Sequence, residues 1–324
     1  MRQTAQYCIT KIRELDFEQL PISEYNRSYI RKILPQLNYY FSIYIRALSS
    51  FPEHKRENTL VVDFGGGHGF LSLFLKYLGY RVIYCDLNPL SVKTVTLIKE
   101  ELSEGPDFVV EGSAADLKQF CCENDLKPDF LIATDVIEHV YDLTVFFREL
   151  RELNPSLEMV FTTGSNPFNR YKCLRLHKYM KQAEKEYFPQ RCEFIKERYP
   201  DLSAENVNNL ARLCRGKTYS DIQTAVDSYC LNGVLPEEPA DRFNTCDPSN
   251  GNWTERILPF DEYLLLAAKN GFQTSFLPGF YNESRKNRLP AIICRYLNRF
   301  IRKFPKIRWK IAPFIFIRLS PLDE

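Results

Sequence analysis

The segment VVDFGGGHGFLSLFL, residues 61–75, determines the class of fold. A short apolar, β-branched run ends at Asp63, glycines follow at alternate positions, and an apolar run typical of a helix comes next. Glycine in such a turn lets backbone N–H groups approach a ligand closely. A dinucleotide G-x-G-x-x-G fingerprint would need glycine where Phe70 stands, and the Gly-Lys-Ser/Thr ending of a phosphate-binding loop is missing. The pattern is D-x-G-x-G-x-G instead, with Gly65, Gly67 and Gly69 as its glycines.

Strand and helix patterns alternate from this turn onward. The strand patterns are TLVVDF, RVIYCD, DFVVEG, PDFLIATD and LEMVFTTG, with helix patterns between them. Strands this apolar are buried on both faces, as parallel strands are. Alternation of this kind implies a sheet with right-handed crossovers. We therefore predict an α/β fold with a doubly wound, mostly parallel sheet.

Outside this region the pattern changes, and the sequence predicts further segments around the core. Residues 168–232 are polar, with helix patterns near 168–187, 203–214 and 220–231, so residues 168–250 suggest an insertion or lid above one sheet edge. The predicted segments are an N-terminal helical segment 1–57 kinked or split at Pro35, a cofactor-binding core 58–167, a helical insertion or lid 168–250, a return to the core sheet 251–284 and a basic amphipathic tail 285–324.

Asp86 ends the second strand pattern, nineteen residues after Gly67. At the carboxyl edge of a doubly wound sheet, an acid in this position accepts hydrogen bonds from both hydroxyls of a ribose. Such charge-assisted bonds contribute roughly 1.5–3 kcal/mol each. The alternative is that Asp86 only caps the helix that begins near Pro89. The glycine loop at the matching distance favours the ribose interpretation.

Three motifs in order, VVDFGGGHGF, CDLNP and DFLIATDVIEHV, resemble those of the class I S-adenosylmethionine-dependent methyltransferases. The last resembles the corresponding stretch of the quinone O-methyltransferase-like branch. The resemblance covers about residues 58–164 and implies a Rossmann-like methyltransferase fold with S-adenosylmethionine as its cofactor.

The resemblance also implies a role for individual residues. Asp63 would hold the loop near the methionine ammonium, and Leu87 would lie against the adenine. Where the family often has an acid after the glycine of EGSAADL, this chain has Ser113, which leaves the adenine contact to Ser113, to the Ala114 backbone or to Asp116. The implied cofactor-binding residues are Asp63, Gly65, Gly67, Gly69, Asp86, Leu87, Ser113, Ala114 and Asp135.

His139 is the candidate catalytic base, because it follows the fourth strand and its ordinary pKa is close to neutral. A structural histidine that hydrogen-bonds within the turn is the alternative that we favour. The candidate substrate contacts are Glu255, Arg256 and the segment NPFNRYK (166–172). Ordinary polar residues on a protein surface would look the same, so this alternative stays open. His68 is expected to point to solvent. No Cys or His spacing indicates a metal site.

The C-terminal residues 285–324 contain eleven Lys and Arg against Asp323 and Glu324, a net charge of +9, while the rest of the chain carries −7. Apolar residues from Ile292 to Phe304 line one helical face, and a second apolar cluster runs from Trp309 to Ile317. A basic amphipathic helix with aromatic residues is typical of an element that lies on an anionic membrane. A helix packed on its own domain is the alternative, and nucleic acid is not expected.

The composition is that of an ordinary globular protein. Of 324 residues, 44% are hydrophobic and 26% charged, which excludes a disordered or low-complexity chain. The N-terminal residues lack the apolar core of a secretory signal, and no apolar run is long enough to span a membrane. We therefore expect a cytoplasmic protein with reduced cysteines, peripheral at the inner membrane face if the tail binds there.

Together these patterns predict a methyltransferase dependent on S-adenosylmethionine. The acceptor is expected to be a small molecule, a lipid-linked molecule or a glycan, methylated at a hydroxyl. Two alternatives remain: a non-catalytic binding or scaffold protein with the same fold, and a nicotinamide oxidoreductase. The intact Asp63, glycines and Asp86 disfavour the first, and Phe70 disfavours the second.

Overall fold

In the computed structural model, which describes residues 1–51, 56–285 and 287–322, seven strands form one sheet. All seven belong to the larger of two compact units, which consists of Met1–Ile137, Thr144–Thr163 and Asp261–Glu324. The strands are β1 (Leu60–Phe64), β2 (Arg81–Asp86), β3 (Phe108–Glu111), β4 (Phe130–Thr134), β5 (Glu158–Thr163), β6 (Phe272–Pro278) and β7 (Ile315–Pro321).

The strand order is β3-β2-β1-β4-β5-β7-β6, and the first five of these strands run parallel to one another. All five residues of β1 are buried, as expected for a parallel strand covered on both faces. The chain reverses its direction of winding between β1 and β4, and ligands of such sheets bind beyond the carboxyl ends of the strands at this point. The predicted doubly wound, mostly parallel sheet is therefore confirmed.

The C-terminal residues differ from the expected peripheral tail. Strand β7 lies between β5 and β6 and pairs antiparallel with both of them. Ile315, Phe316 and Ile317, part of the second apolar cluster of the sequence, are buried in the sheet. Since successive side chains of a strand point to opposite faces, burial of all three shows that β7 is covered on both faces.

Helices flank the sheet, and their ends follow local capping rules. Asn88 is the N-cap of α5 and accepts a hydrogen bond from the Leu90 N–H at 3.0 Å. Pro35 lies in a 3₁₀ turn, Leu34–Gln36, which splits the first long helix pattern in two, as predicted. The helices of this unit are α1 (Arg2–Glu14), α2 (Glu24–Ile33), α3 (Leu37–Leu48), α4 (Phe70–Tyr77), α5 (Pro89–Leu102), α6 (Ala114–Glu123), α7 (Leu143–Leu153), α11 (Phe260–Lys269), α12 (Arg288–Lys303) and α13 (Arg308–Ile311).

The second unit consists of Glu138–Leu143 and Gly164–Phe260 and is helical. Its helices are α8 (Arg170–Arg198), α9 (Ala204–Leu213) and α10 (Tyr219–Asn232). They enclose a small apolar core that includes Ile195, Leu210 and Ile222. The helical character of residues 168–232 agrees with the sequence analysis, whereas the domain boundaries and the lid remain predictions. Among the described residues, no helix is both long and apolar enough to cross a membrane.

Candidate functional site

The glycine loop between β1 and α4 turns through three left-handed residues. Gly65, Gly67 and Gly69 have φ angles of +64°, +55° and +75°. A Cβ on Gly65 would lie 2.4 Å from Val136 Cγ2, and one on Gly69 would lie 2.3 Å from Val95 Cγ2. A Cβ on Gly67 would meet nothing within 4 Å. Packing therefore explains two of the glycines, while the backbone of Gly67 borders open space that a ligand can enter.

Asp86 ends β2 beside this loop, and backbone groups orient its carboxylate. One oxygen accepts a hydrogen bond from Gly67 N–H at 2.8 Å, and the other from Asn88 N–H at 2.8 Å. Burial raises the pKa of Asp86, while these two hydrogen bonds act in the opposite direction. Each carboxylate oxygen keeps a second lone pair for further donors. Since Asn88 is the N-cap of α5, capping alone does not account for Asp86.

Tyr84 and Asp63 support the loop from below. The buried Tyr84 donates its hydroxyl to the Gly67 carbonyl at 2.7 Å. Asp63 accepts hydrogen bonds from the Ser72 N–H at 2.9 Å and the Ser72 hydroxyl at 2.7 Å, so it joins the end of β1 to the first turn of α4. Burial raises the pKa of Asp63 to about 7, against the effect of the two Ser72 hydrogen bonds. The sequence showed Tyr84 only as a strand residue.

Ser113 and Asp116 form a capping box at the start of α6. The Ser113 N–H and hydroxyl both donate to one oxygen of Asp116, at 2.7 and 2.6 Å. The Ser113 hydroxyl bond, followed by the backbone bond, lowers the pKa of Asp116. Asp116 and the Ser113 side chain are thus engaged with each other at the helix start, and the adenine contact of Ser113, the Ala114 backbone or Asp116 remains a prediction.

Asp135 follows β4 at the carboxyl edge of the sheet and has a left-handed φ of +54°. Its N–H donates to the Thr162 carbonyl at 2.9 Å, and its side chain is exposed. The charge of this carboxylate acts on three tyrosines from the N-terminal helices. Burial raises the pKa of Tyr29, Tyr39 and Tyr40, and the negative charge of Asp135 adds to the effect in each case.

These tyrosines are site residues that sequence reasoning missed. They lie in the N-terminal helical segment, to which sequence analysis gave no functional role. The density of tyrosines between residues 25 and 44 was the one signal that could have found them, because a phenol combines an apolar ring with a hydroxyl that binds a polar partner.

Comparisons with known proteins identify the family to which the chain belongs. A family model described as "Methyltransferase domain" matches residues 36–210, more than half of the chain. The chain belongs to this methyltransferase family. It is an S-adenosylmethionine-dependent methyltransferase with a Rossmann-like fold, and S-adenosylmethionine is its cofactor.

Among solved structures, the methyltransferase is similar to a SAM-dependent methyltransferase from Archaeoglobus fulgidus, at 13% identity over 82% of this chain and 87% of that chain, with a TM-score of 0.39. It is also similar to a putative S-adenosylmethionine-dependent methyltransferase from Listeria monocytogenes, at 12% identity over 85% and 96% of the two chains, with a TM-score of 0.41. The assignment does not rest on these distant likenesses. A comparison with curated proteins finds no match.

His68 of the methyltransferase does not point to solvent, so that expectation was wrong. The imidazole is buried between Phe70 and Tyr29, with ring centroids 3.9 and 5.9 Å away. Its Nδ1 accepts a hydrogen bond from the Phe70 N–H at 3.2 Å. Burial lowers the pKa of His68 to about 3, so the ring is neutral. The ring that covers it comes from α2, about forty residues earlier in the sequence.

His139 lies in the second unit, within a short 3₁₀ turn Ile137–His139. Its Nδ1 is 2.7 Å from the Trp253 carbonyl, and its own carbonyl accepts a hydrogen bond from the Trp253 N–H at 3.2 Å. This two-point contact gives His139 a structural partner, but the partner is a distant residue and not one within the turn, as the alternative had it. A catalytic role for the residue remains a prediction.

The remaining candidate substrate contacts also lie in the second unit and have structural partners there. Glu255 accepts a hydrogen bond from the Ser165 hydroxyl at 2.9 Å, and Arg256 donates to the Tyr141 carbonyl at 3.3 Å. In the segment 166–172, Asn169 is the N-cap of α8 and accepts from Lys172 N–H at 3.1 Å. Within the described residues, no group of His, Cys, Asp and Glu is arranged to hold a metal ion.

Proposed function

We propose that this methyltransferase methylates a hydroxyl group of a small-molecule, lipid-linked or glycan acceptor. The support for a hydroxyl is the DVIEHV segment, residues 135–140, which resembles the quinone O-methyltransferase-like branch. The enzyme class rests on the family match, whereas the branch and the acceptor are proposals.

The observation that carries the cofactor site is the Asp86 carboxylate, hydrogen-bonded to the Gly67 N–H beside open space. We assign the ribose hydroxyls to the free lone pairs of Asp86. Leu87 is 73% exposed next to it, which suits a side chain that covers an adenine ring. Ser113 or the Ala114 backbone would contact the adenine edge. Gly65 and Gly69 give the loop its shape.

Asp63 would stabilise the methionine end of the cofactor. Its carboxyl is buried and has a pKa near 7 without a cation beside it. A bound ammonium group would favour the ionised form and lower this pKa. The same carboxylate holds α4 through Ser72, so cofactor binding and the shape of the loop depend on one group.

The cofactor supplies a methyl group on a positively charged sulfur, and the transfer is a direct displacement by the acceptor oxygen. The protein mainly has to hold the acceptor in line, which contributes up to ~7–11 kcal/mol. We assign to the acceptor Asp135, at the carboxyl edge, and the hydroxyls of Tyr29 and Tyr40, whose pKa values its charge raises. If a general base takes the hydroxyl proton, His139 remains the candidate.

The cofactor assignment is tested by calorimetric titration with S-adenosylhomocysteine. Asp86→Ala should weaken binding on the order of 100-fold, because two charge-assisted hydrogen bonds are lost. Glu111→Ala is the matched control: Glu111 is exposed, lies across from Asp86 in the neighbouring strand and has no assigned role. NAD should not bind. Equal affinities of the folded Asp86→Ala and Glu111→Ala proteins would refute the ribose assignment.

We also propose that α12 docks on an anionic membrane. The helix packs on its unit through Ala291, Cys294, Asn298 and Ile301. Its larger apolar side chains face outward instead: Ile293 is 51% exposed, Tyr296 61% and Phe300 45%. Exposed basic residues, among them Arg295 and Arg299, lie along this outer face, and α12 contains no acidic residue. An apolar stripe bordered by positive charge complements an anionic bilayer surface.

Membrane docking is tested by co-sedimentation with vesicles of phosphatidylglycerol and phosphatidylcholine. The double variant Ile293→Asp, Phe300→Asp should lose binding to these vesicles while it remains folded. Leu265→Asp is the matched control, since Leu265 is 61% exposed on α11. Wild-type protein that stays in the supernatant, or a double variant that sediments as well as wild type, would refute the proposal.

A further inference from the structure

A second cleft lies in the larger unit, at the end of the sheet where β6 finishes. It has a volume of about 770 Å³ and is formed by α1, α3, the chain from Leu277 to Ser284, α12 and α13. Pro278, at its rim, pairs with Ile315, which in turn pairs with Thr163 at the carboxyl end of β5. A cleft of this size accommodates a small organic ligand.

Four arginines line this cleft: Arg2, Arg46, Arg302 and Arg308. They come from four different helices, so the fold collects charges that are far apart in the sequence. Within the described residues, none of the four has a carboxylate within salt-bridge distance. The Arg308 Nε is buried and has no hydrogen-bond partner in the described part of the chain.

Among the described residues that line the cleft, Glu283 is the one acid, and its carboxylate is already engaged. Its Oε1 accepts a hydrogen bond from the Asn298 side-chain amide at 2.7 Å. The unpaired guanidinium groups therefore exceed the negative charge at the cleft. Arg2, Arg46 and Arg302 are exposed and Arg308 is half-buried, so the cleft offers an anion guanidinium donors that no carboxylate of the described residues occupies.

The wall between β6 and α12 is held in place by side chains. The buried Asn298 bonds to the Tyr281 N–H at 2.7 Å and to the Tyr281 carbonyl at 2.9 Å. The Tyr281 hydroxyl donates to the Ile311 carbonyl at 2.8 Å, and Tyr39 on α3 donates to the Phe280 carbonyl at 2.9 Å. Residues 280 and 281 are thus fixed to α3, α12 and the end of α13, which gives the arginines a rigid frame.

We propose that this cleft binds a phosphate ester. The guanidinium group is planar and permanently charged, and its paired N–H donors match phosphate oxygens. The buried Nε of Arg308 requires an acceptor, and a phosphate oxygen provides one. The proposal does not depend on the methyl-transfer assignment, because binding in the cleft can be measured without cofactor.

The test is titration of the full-length protein with glycerol 3-phosphate and, as the uncharged counterpart, glycerol. Glycerol 3-phosphate should bind and glycerol should not. Arg302→Gln should weaken binding roughly tenfold, the loss expected for one charge-assisted hydrogen bond. Arg299→Gln is the matched control on the same helix, because Arg299 is exposed and does not line the cleft.

Two results would overturn the proposal: no binding of glycerol 3-phosphate by the wild type, or equal weakening by Arg302→Gln and Arg299→Gln. Vesicles of phosphatidic acid distinguish a lipid headgroup from a soluble ester. If the cleft takes a lipid phosphate, free glycerol 3-phosphate should compete with vesicle binding by the wild type but not with the remaining binding by Arg302→Gln. If the ligand is soluble, glycerol 3-phosphate should leave vesicle binding by the wild type unchanged, while Arg302→Gln still weakens binding of the ester.

Discussion

The glycine loop and the C-terminal residues of this methyltransferase differ in how much their sequences reveal. From β1 to Asp86, residues near in sequence are also near in space, and the loop, the helix start and the acid follow from local rules. The C-terminal residues contain two similar basic and apolar patterns that differ in burial. Helix α12 turns large apolar side chains outward, whereas β7 is buried between two strands. Composition predicts that a segment is apolar and basic, but the elements that it packs against determine whether its apolar side chains are buried.

The largest effect should come from removing a buried side chain of β7. Ile317→Ala should lower the free energy of unfolding by ~2–5 kcal/mol, because Ile317 is fully buried and a cavity remains. Ile293→Ala, the same substitution on the exposed face of α12, should change it by less than about 0.5 kcal/mol. Urea denaturation measures both. Equal losses would mean that the two apolar clusters have the same environment.

His68 should make the unfolding free energy depend on pH. Its pKa is about 3 in the folded protein against an ordinary value of 6.5, so the contribution is complete above pH 6.5 and is lost as the pH falls. Between pH 7 and pH 5 the wild type should lose about 2 kcal/mol more than His68→Asn, whose side-chain oxygen can still accept from Phe70 N–H.

The measurement for His68 is urea denaturation of both proteins at the two pH values. An NMR titration of the imidazole provides the direct check, and the ring should stay neutral down to pH 4. A ring that protonates near pH 6.5, or the same pH dependence in both proteins, would place His68 at the surface, as its sequence had suggested.

The smallest change in stability is expected for two glycine substitutions, only one of which lies in the glycine loop. Gly67→Ala and Gly79→Ala should each destabilise by about 1 kcal/mol, because both residues have positive φ and their added Cβ would meet nothing. Only Gly67→Ala should lose affinity for S-adenosylhomocysteine, since the new methyl group would occupy the space that we assign to the cofactor. Calorimetric titration of both variants decides the point, and equal affinities would argue against that assignment.

The sequence also predicted how far most elements extend, and α8 shows why some ends differ. The pattern suggested a helix near 168–187, but α8 continues past Pro189 to Arg198. Proline removes one backbone hydrogen bond and disfavours a helix interior. Fully buried Arg191 offsets this, since its guanidinium donates to the Ala211 carbonyl at 2.9 Å and to Glu184 at 2.5 Å. This contact with α9 has no local signature.

The candidate site divides in the same way. The loop glycines and Asp86 could be found from the sequence because their spacing reflects one turn and two adjacent strands. The covering of His68 by Tyr29 could not, because a helix of the N-terminal segment brings that ring to the glycine loop. No hydrophobic period within the N-terminal helices or the glycine loop predicts this contact.

By itself, the sequence determined the alternation of strands and helices, the glycine loop and the acid beside it, because these depend on backbone preferences and hydrophobic period over a few residues. Only the tertiary structure decided that β7 enters the sheet, that α12 exposes its apolar face and that four arginines line one cleft. Burial and charge clustering depend on contacts between residues that are far apart in the sequence. Local sequence patterns do not show which of these residues come into contact.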